Sequence, residues 1–328
     1  MNEPNEITPE NPSDTPSEAA ASSVLPNDFK AGTVSILGEP NAGKSTLLNS
    51  LLGEKLSIVT AKPQTTRKKI LGIYSDEQCQ IVFLDTPGVM SPKYKLHKAM
   101  LHEVDDARTA ADALVLIIDG KLYSDKQKKL ESDFAFTKVH NSPKPVLLAI
   151  NKMDLLEKGD ILALIARLSQ EFAFKEIVPM SAAKNFGEKE LIKALQAYLP
   201  ASQPLYPTDI LSTATERFFV SEIVREKIFE QYSEEIPYST EVEVEEFREQ
   251  VETGGGKKEF IRCAIVVERA TQRAIVIGKG GAAIKRLGQK ARYDIEKFLQ
   301  RPVFLELFVK VREDWREKEQ DLRDFGYR

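Results

Sequence analysis

The 328-residue sequence holds two cysteines, three histidines and one tryptophan. Cys79 and Cys263 lie far apart in apolar surroundings and match no metal or redox spacing. A disulfide framework and a thiolate metal site are thereby excluded, leaving two buried thiols in a reducing compartment. No apolar run is long enough to span a bilayer, and the N-terminus has no basic stretch leading into an apolar core, so neither integral membrane insertion nor secretion is expected. A net charge of −4 excludes a globally basic nucleic-acid binder, so any such contact must come from a local patch. Residues 1–28 lack Lys, Arg and nearly all large apolar side chains, and are rich in Pro, Ser, Glu, Asn and Ala. A stretch with so little to bury cannot offset its ordering entropy, and it reads as a disordered acidic extension.

From Phe29 the pattern changes to short apolar runs alternating with longer amphipathic segments, as in a parallel sheet with crossover helices. Strands are expected at Thr33–Leu37, Lys69–Tyr74, Gln80–Asp85, Ala113–Asp119, Pro145–Asn151 and Glu176–Met180. Helices are expected at Lys95–Arg108, Ser124–His140, Gly159–Glu171 and Glu188–Leu199. The chain length suits two domains, and the first, over residues 29–199, is read as an α/β P-loop domain with a mostly parallel sheet and helices on both faces.

The first of those strands runs into Gly38-Glu39-Pro40-Asn41-Ala42-Gly43-Lys44-Ser45-Thr46, and a helical stretch follows. In a strand, glycine loop and helix of this kind, backbone N–H groups converge on phosphate oxygens. Lys44 reaches the β- and γ-phosphates, and the Ser45 hydroxyl ligates Mg²⁺. Asp85-Thr86-Pro87-Gly88 ends the third strand, where Asp85 can hold the metal through a water and the Gly88 N–H can meet the γ-phosphate. Asn151-Lys152-Met153-Asp154 ends the fifth. There Asp154 can accept from the ring N–H and exocyclic amine of guanine, which adenine cannot match. Asn151 would contact the purine edge and brace the loop, and the Lys152 stem would pack on the base. Ser181-Ala182-Ala183 after the last strand offers a backbone N–H to the guanine carbonyl. In this order the four pieces specify a GTP and GDP site.

These motifs resemble the translation-factor-related GTPases, and Gln64-Thr65-Thr66-Arg67 before a strand resembles their Era branch. The resemblance implies that Thr66, or else Thr65, closes on Mg²⁺ when the γ-phosphate is present. The catalytic set is then Lys44, Thr66, Asn41 and Gly88. Position 89 is valine, where Ras-like enzymes place the glutamine that orients the attacking water, so slow intrinsic hydrolysis is expected. In related GTPases the asparagine matching Asn41 helps hold K⁺ beside the phosphates, where it supplies the charge of an arginine finger.

Residues 200–208 are proline-rich and read as a linker. In residues 209–328 a helix over Thr215–Tyr232 precedes two alternating strands, Glu241–Phe247 and Phe260–Val267, with Gly254-Gly255-Gly256 between them as a turn. The informative stretch is Ile277-Gly278-Lys279-Gly280-Gly281 followed by Ile284-Lys285-Arg286, with Lys290 beyond. The glycines let backbone approach a sugar-phosphate chain, the cations add charge, and Ile277 and Ile284 can line a groove for unstacked bases. This is similar to the Gly-x-x-Gly loop of KH modules, which bind single-stranded RNA. An α+β type II KH domain is therefore expected. It would place β-branched Ala274–Ile277 in a helix, against its strand propensity. A strand over Pro302–Val311 and a charged helix from Asp314 to about Phe325 complete it, with Trp315 as a packing residue.

The Era resemblance, from Phe29 to Arg328, implies a cytoplasmic, monomeric GTPase. Such a protein binds 16S rRNA near its 3′ end and acts in assembly of the 30S ribosomal subunit, with a peripheral pool at the inner membrane. The alternative is a GTPase whose second domain binds protein or membrane in cell-cycle or membrane-linked regulation. The cations beside the glycine loop weigh against it, although a basic helix also suits anionic lipid.

Overall fold

The structure, a computed structural model, describes residues 28–125, 128–251 and 257–327. The expected disordered extension before Asp28 and the Gly254-Gly255-Gly256 turn lie outside them. The elements in the first half are β1 (Lys30–Leu37), α1 (Lys44–Leu52), β2 (Ile70–Ser75), β3 (Cys79–Asp85), α2 (Lys95–Ala110), β4 (Ala113–Asp119), α3 (Gly120–Asp125), β5 (Val146–Asn151), α4 (Lys158–Glu171), β6 (Glu176–Pro179) and α5 (Glu188–Gln196). Their strands form one sheet in the order β2-β3-β1-β4-β5-β6. It is parallel except for β2, which runs antiparallel to β3 at the edge. Helices cover both faces, so the inner strands are buried on both sides and read as continuous apolar runs. One layer joins Leu47 and Leu48 of α1 and Leu191 and Leu195 of α5 to Ile36, Phe83 and Ile117. The other joins Val104, Tyr123, Leu164 and Leu168 to Leu37, Leu116 and Ile150. Burying each large aliphatic side chain contributes about 1.5–3 kcal/mol. Because β1, β3, β5 and β6 run the same way, their carboxyl ends carry all four polar motifs to one rim of the sheet.

The second half comprises α6 (Glu216–Gln231), β7 (Glu241–Val251), β8 (Lys257–Val267), α7 (Ala270–Ile277), α8 (Ala282–Leu299), β9 (Val303–Val311) and α9 (Glu319–Asp324). β7 pairs antiparallel with β8, and β9 pairs parallel with it. Helices α6, α7 and α8 cover one face of this sheet through Val224, Ile228, Val276, Leu287 and Ile295, packed on Ile261, Cys263, Ile265 and Val309. This is the type II KH arrangement. Val276 sits in that core, so packing overrides the strand propensity of Ala274–Ile277.

Two expected helices differ. Ser124–His140 is not one helix: α3 ends at Asp125, and only short 3₁₀ turns follow at Leu130–Ser132 and Phe136–Lys138. The Asp133 carboxylate accepts from the Ala135 and Phe136 N–H groups and from the Tyr123 hydroxyl, and so diverts the backbone from helical pairing. The helix expected from Asp314 to about Phe325 is likewise broken into a 3₁₀ turn at Trp315–Glu317 and the short α9. Asp314 adopts φ +52, and Trp315 is fully buried with its indole N–H on the Ser239 carbonyl (2.9 Å).

The proline-rich segment is strapped to the first sheet. Ala31 N–H donates to Pro200 O (3.2 Å) and Ser202 N–H to Phe29 O (3.1 Å). The Gln80 carboxamide oxygen accepts from the Leu205 and Tyr206 N–H groups. At edge strand β2, Ile73 N–H donates to Leu211 O (2.8 Å) and Ser212 Oγ to Leu71 O (2.6 Å).

Candidate nucleotide and RNA sites

A cavity of about 470 Å³ opens at the rim of the six-stranded sheet. It is lined by Pro40, Asn41, Gly43, Lys44, Ser45 and Thr46 from the glycine loop, by Gly88, by Asn151, Lys152 and Asp154, and by Ser181 and Ala183. Gly38, Glu39, Ala42, Asp85, Thr86, Pro87, Met153 and Ala182 are not among the lining residues. Gly43 has φ +105, and a Cβ there would meet the Asn151 amide nitrogen at 2.1 Å, so only glycine permits the turn. Asn151 braces the rim: its Nδ2 donates to Ala42 O (2.9 Å), and its Oδ1 accepts from Ala182 N–H (3.0 Å). Asp154 is oriented by the Ser181 hydroxyl (2.5 Å), and Lys152 by Asp119 (2.6 Å). Thr86 is buried and donates to Ile36 O, Met153 sits in the core, and Glu39 pairs with Lys128.

The charged end of the cavity is built from α1, β3 and the loop before β2. Lys44 Nζ donates to the Gly38 and Glu39 carbonyls, both at 3.0 Å. Burial pushes its ammonium down to about 8, against the opposing pull of Asp85, Asp133 and Glu39. Ser45 Oγ donates to Asp85 Oδ2 (2.7 Å) and lies 2.8 Å from Thr66 Oγ1. Thr65 instead bonds Thr60 and the Lys62 carbonyl, so the geometry selects Thr66 over Thr65 as the residue beside Ser45. Burial raises the Asp85 carboxyl despite Ser45, Lys44 and Ser57, and its Oδ1 is a buried oxygen without a partner. A buried carboxylate oxygen with nothing to accept from, beside two hydroxyls, fits a hard divalent cation. Ser45, Thr66 and Asp85 are the residues that would hold it.

Val89 is 1% exposed and its N–H is spent on Gly38 O (3.0 Å), so neither side chain nor amide faces the cavity with a free polar group. Asn41 has φ +63, and its Nδ2 donates to Ala61 O (3.1 Å), tying the glycine loop to the loop before β2.

That loop also grips the second domain, which no local pattern announced. Arg67 is 1% exposed. Its Nη1 donates to Thr240 O (2.7 Å) and Glu241 Oε2 (3.1 Å), and its Nη2 donates to Pro237 O (2.9 Å) and Tyr238 O (3.0 Å). Tyr327 Oη donates to the same Glu241 oxygen (2.7 Å). Glu226 accepts from Lys55 (2.6 Å) and from Val59 N–H (3.1 Å). Gln64 lines the cavity, and its carbonyl oxygen accepts from the Tyr94 hydroxyl (3.2 Å). Leu96 and Met100 of α2 pack with Val266, Trp315, Leu322, Phe325 and Tyr327 to close the seam.

In the second domain Gly278, Gly280 and Gly281 all have positive φ. A Cβ at Gly278 would meet that of Ala283 at 2.6 Å, whereas Gly280 and Gly281 face open space. Lys279, Lys285, Arg286 and Lys290 are exposed around this loop, and Ile277 and Ile284 are half-buried against the core.

A family profile described as "50S ribosome-binding GTPase" matches residues 33–152, and one described as "KH domain" matches residues 235–316. GTPase Era of Geobacter metallireducens is 44% identical over 92% of this chain and 99% of its own length. The chloroplastic GTPase ERA-like protein of Oryza sativa is 42% identical over 92% of this chain and 70% of its own. Among solved structures, an Aquifex aeolicus Era variant bound to GDP and AlF4⁻ superposes with a TM-score of 0.83 at 37% identity, covering 91% of this chain and 99% of that one. An Era in complex with MgGDPNP and nucleotides 1506–1542 of 16S ribosomal RNA gives 0.82 at 36%, with the same coverage. Two domains in this order, with relatives more than 40% identical over 92% of the chain and two Era structures matched almost end to end, place the chain in the Era family of GTPases.

Proposed function

We propose that this GTPase is a switch whose nucleotide state sets its hold on single-stranded RNA. The RNA is 16S rRNA near its 3′ end, and the setting is assembly of the 30S ribosomal subunit. The observation that carries the RNA reading is charge left uncompensated. Many other cations of the second domain, among them Arg225, Lys227, Arg292, Arg301, Lys310 and Arg316, are held by carboxylates. Around the Gly278–Gly281 loop, Lys279, Lys285, Arg286 and Lys290 have no ion pair among the described residues. A backbone that can be approached closely, ringed by free cations and flanked by Ile277 and Ile284, suits a sugar-phosphate chain with its bases unstacked.

In the nucleotide site Lys44 and the loop N–H groups would hold the phosphates, and Asn151, Asp154 and Ala183 the guanine. Mg²⁺ at Ser45, Thr66 and Asp85 supplies charge neutralisation on the transferring phosphoryl group when bound. Thr66 beside Ser45 is adjacent in sequence to Arg67, which clamps the second domain, so a change in how Thr66 is held would reach that clamp. Val89 supplies no group to the water, which supports a slow intrinsic rate. Asn41 lines the cavity and its Oδ1 has no hydrogen-bond partner among the described residues, which supports a role for it in holding K⁺. Equal turnover in sodium and potassium buffers would refute that role.

The division of labour is a nucleotide unit over residues 29–199 and an RNA-binding unit over 209–328, joined by 200–208. No described helix is long and apolar enough to cross a membrane. We place the protein in the cytoplasm as a monomer, with any peripheral inner-membrane pool held by the same exposed cations. The deciding experiment is crosslinking and sequencing of RNA from cells. Recovery of 16S 3′-end sequence with the GTP-bound protein and its loss with GDP are expected, and recovery independent of nucleotide, or of no RNA, would overturn the reading.

A further inference from the structure

The Gly278–Gly281 loop leads directly into α8, and Arg286, Lys290, Tyr293 and Lys297 follow at i, i+4, i+7 and i+11. That spacing puts the four on one stripe of the helix, opposite the core positions Leu287, Ala291, Ile295 and Leu299. All four are exposed, Tyr293 to 70%, which is unusual for a large aromatic side chain. The two acids of the same helix are already engaged: Asp294 with Lys227 (2.7 Å) and Glu296 with Arg292 (2.9 Å). Arg286, Lys290 and Lys297 have no side-chain hydrogen bond or ion pair among the described residues. The stripe thus carries three free cations with a phenol ring between them. A shallow cavity of about 370 Å³ opens beside the ring, bounded by Lys227, Glu230, Gln289, Lys290 and Asp294. At its far end Lys297 borders the groove where Lys55 and Leu56 of the nucleotide domain meet Phe219 and Phe298.

We propose that α8 carries a second single-stranded RNA subsite, on which Tyr293 stacks an unpaired base while Arg286, Lys290 and Lys297 follow the phosphates. The inference rests on the RNA reading of the glycine loop and extends it. A Gly-x-x-Gly loop clamps about four nucleotides, and from Arg286 to Lys297 the stripe runs a further 16 Å or so at the helical rise. Its occupant is therefore the continuation of the strand held by the loop. An aromatic ring between free cations suits a single strand, whose bases have open faces to stack. A membrane surface would call for several large apolar residues on the stripe, and it has none besides Tyr293.

The test measures affinity of the full chain, bound to a non-hydrolysable GTP analogue, for RNA of about five and about fifteen nucleotides. Tyr293→Ala is expected to weaken the longer RNA about tenfold and leave the shorter one unchanged, with Tyr293→Phe restoring wild-type affinity. Lys290→Ala with Lys297→Ala is expected to flatten the salt dependence for the longer RNA by about 1.4 in log–log slope. A melting temperature within about 2 °C of wild type in these variants verifies that the fold is intact. Wild-type binding of the longer RNA by Tyr293→Ala, or equal weakening of both RNAs, would overturn the subsite. The combined Lys279→Asp and Gly280→Asp variant separates the two levels. If it still binds the five-nucleotide RNA normally, the glycine-loop reading fails and the subsite with it. If it loses that RNA while Tyr293→Ala changes nothing, only the subsite falls.

Discussion

Arg67→Ala would remove a guanidinium that is 1% exposed and donates to three carbonyls and the Glu241 carboxylate across the domain seam. Glu241 is itself only 4% exposed, so the loss leaves a buried carboxylate short of a cation and three carbonyls without their donor. Breaking a buried pair by deleting one partner costs about 3–5 kcal/mol. At about 2–4 °C per kcal/mol for domains of this size, the melting temperature is expected to fall by roughly 6–20 °C. Calorimetry of wild type, Arg67→Ala, Glu241→Gln and the double variant would measure it. The double-mutant cycle should return a coupling above about 1 kcal/mol. A melting temperature within about 2 °C of wild type for Arg67→Ala, or additive single effects, would refute the clamp. The pH dependence has a defined sign. Burial alone would raise the Glu241 carboxyl, but Lys68, Arg67, Arg225 and the Tyr327 hydroxyl outweigh it and leave it below its ordinary 4.5. Its contribution is therefore complete above pH 4.5 and is lost as the pH falls through the depressed native value. Arg67→Ala should flatten that acid limb.

Four further outcomes concern the nucleotide site. Burial brings Lys44 down to about 8, so GDP affinity of the free protein should decline above that pH, by at most about tenfold per pH unit. Equilibrium titration with a fluorescent nucleotide reads this, and a flat profile to pH 9.5 or so would refute the lowered ammonium; Lys44→Ala should abolish binding. Asp154→Asn should shift preference from guanine to xanthine nucleotide, measured by competition, and retained guanine selectivity would count against base reading by Asp154. Val89→Gln should not accelerate hydrolysis, because position 89 is buried; it should instead cost about 1–3 kcal/mol for an unsatisfied amide, checked by melting and single-turnover rates.

The nucleotide site was legible because each of its motifs is local: a strand end, a few fixed residue types, and a loop whose backbone is dictated by Gly43. Parallel strands then bring the four motifs to one rim without further information. The Gly278–Gly281 loop was legible for the same reason, and Val276 settled the helix that propensity argued against. The clamp at Arg67 was not, since its acceptors lie more than 160 residues further along the chain and are mostly backbone carbonyls. No side-chain pattern marks a carbonyl that will be needed elsewhere. The helix expected over Ser124–His140 failed on a single residue whose effect is also tertiary. Asp133 looks like an ordinary polar position, but the Tyr123 hydroxyl and two backbone N–H groups hold its carboxylate out of a helix.

The strap over residues 200–212 has a consequence for the nucleotide domain as a separate object. β2 is an edge strand, and the Leu211 carbonyl and Ser212 hydroxyl occupy the Ile73 N–H and Leu71 carbonyl that would otherwise be open. An unpaired edge is a template for another chain. Leu211 and Ser212, just past the proline-rich spacer of residues 200–208, thus act as a guard on the first domain. A nucleotide domain cut at Leu199 is expected to self-associate more than one cut after Thr213, and light scattering of the two would measure the difference.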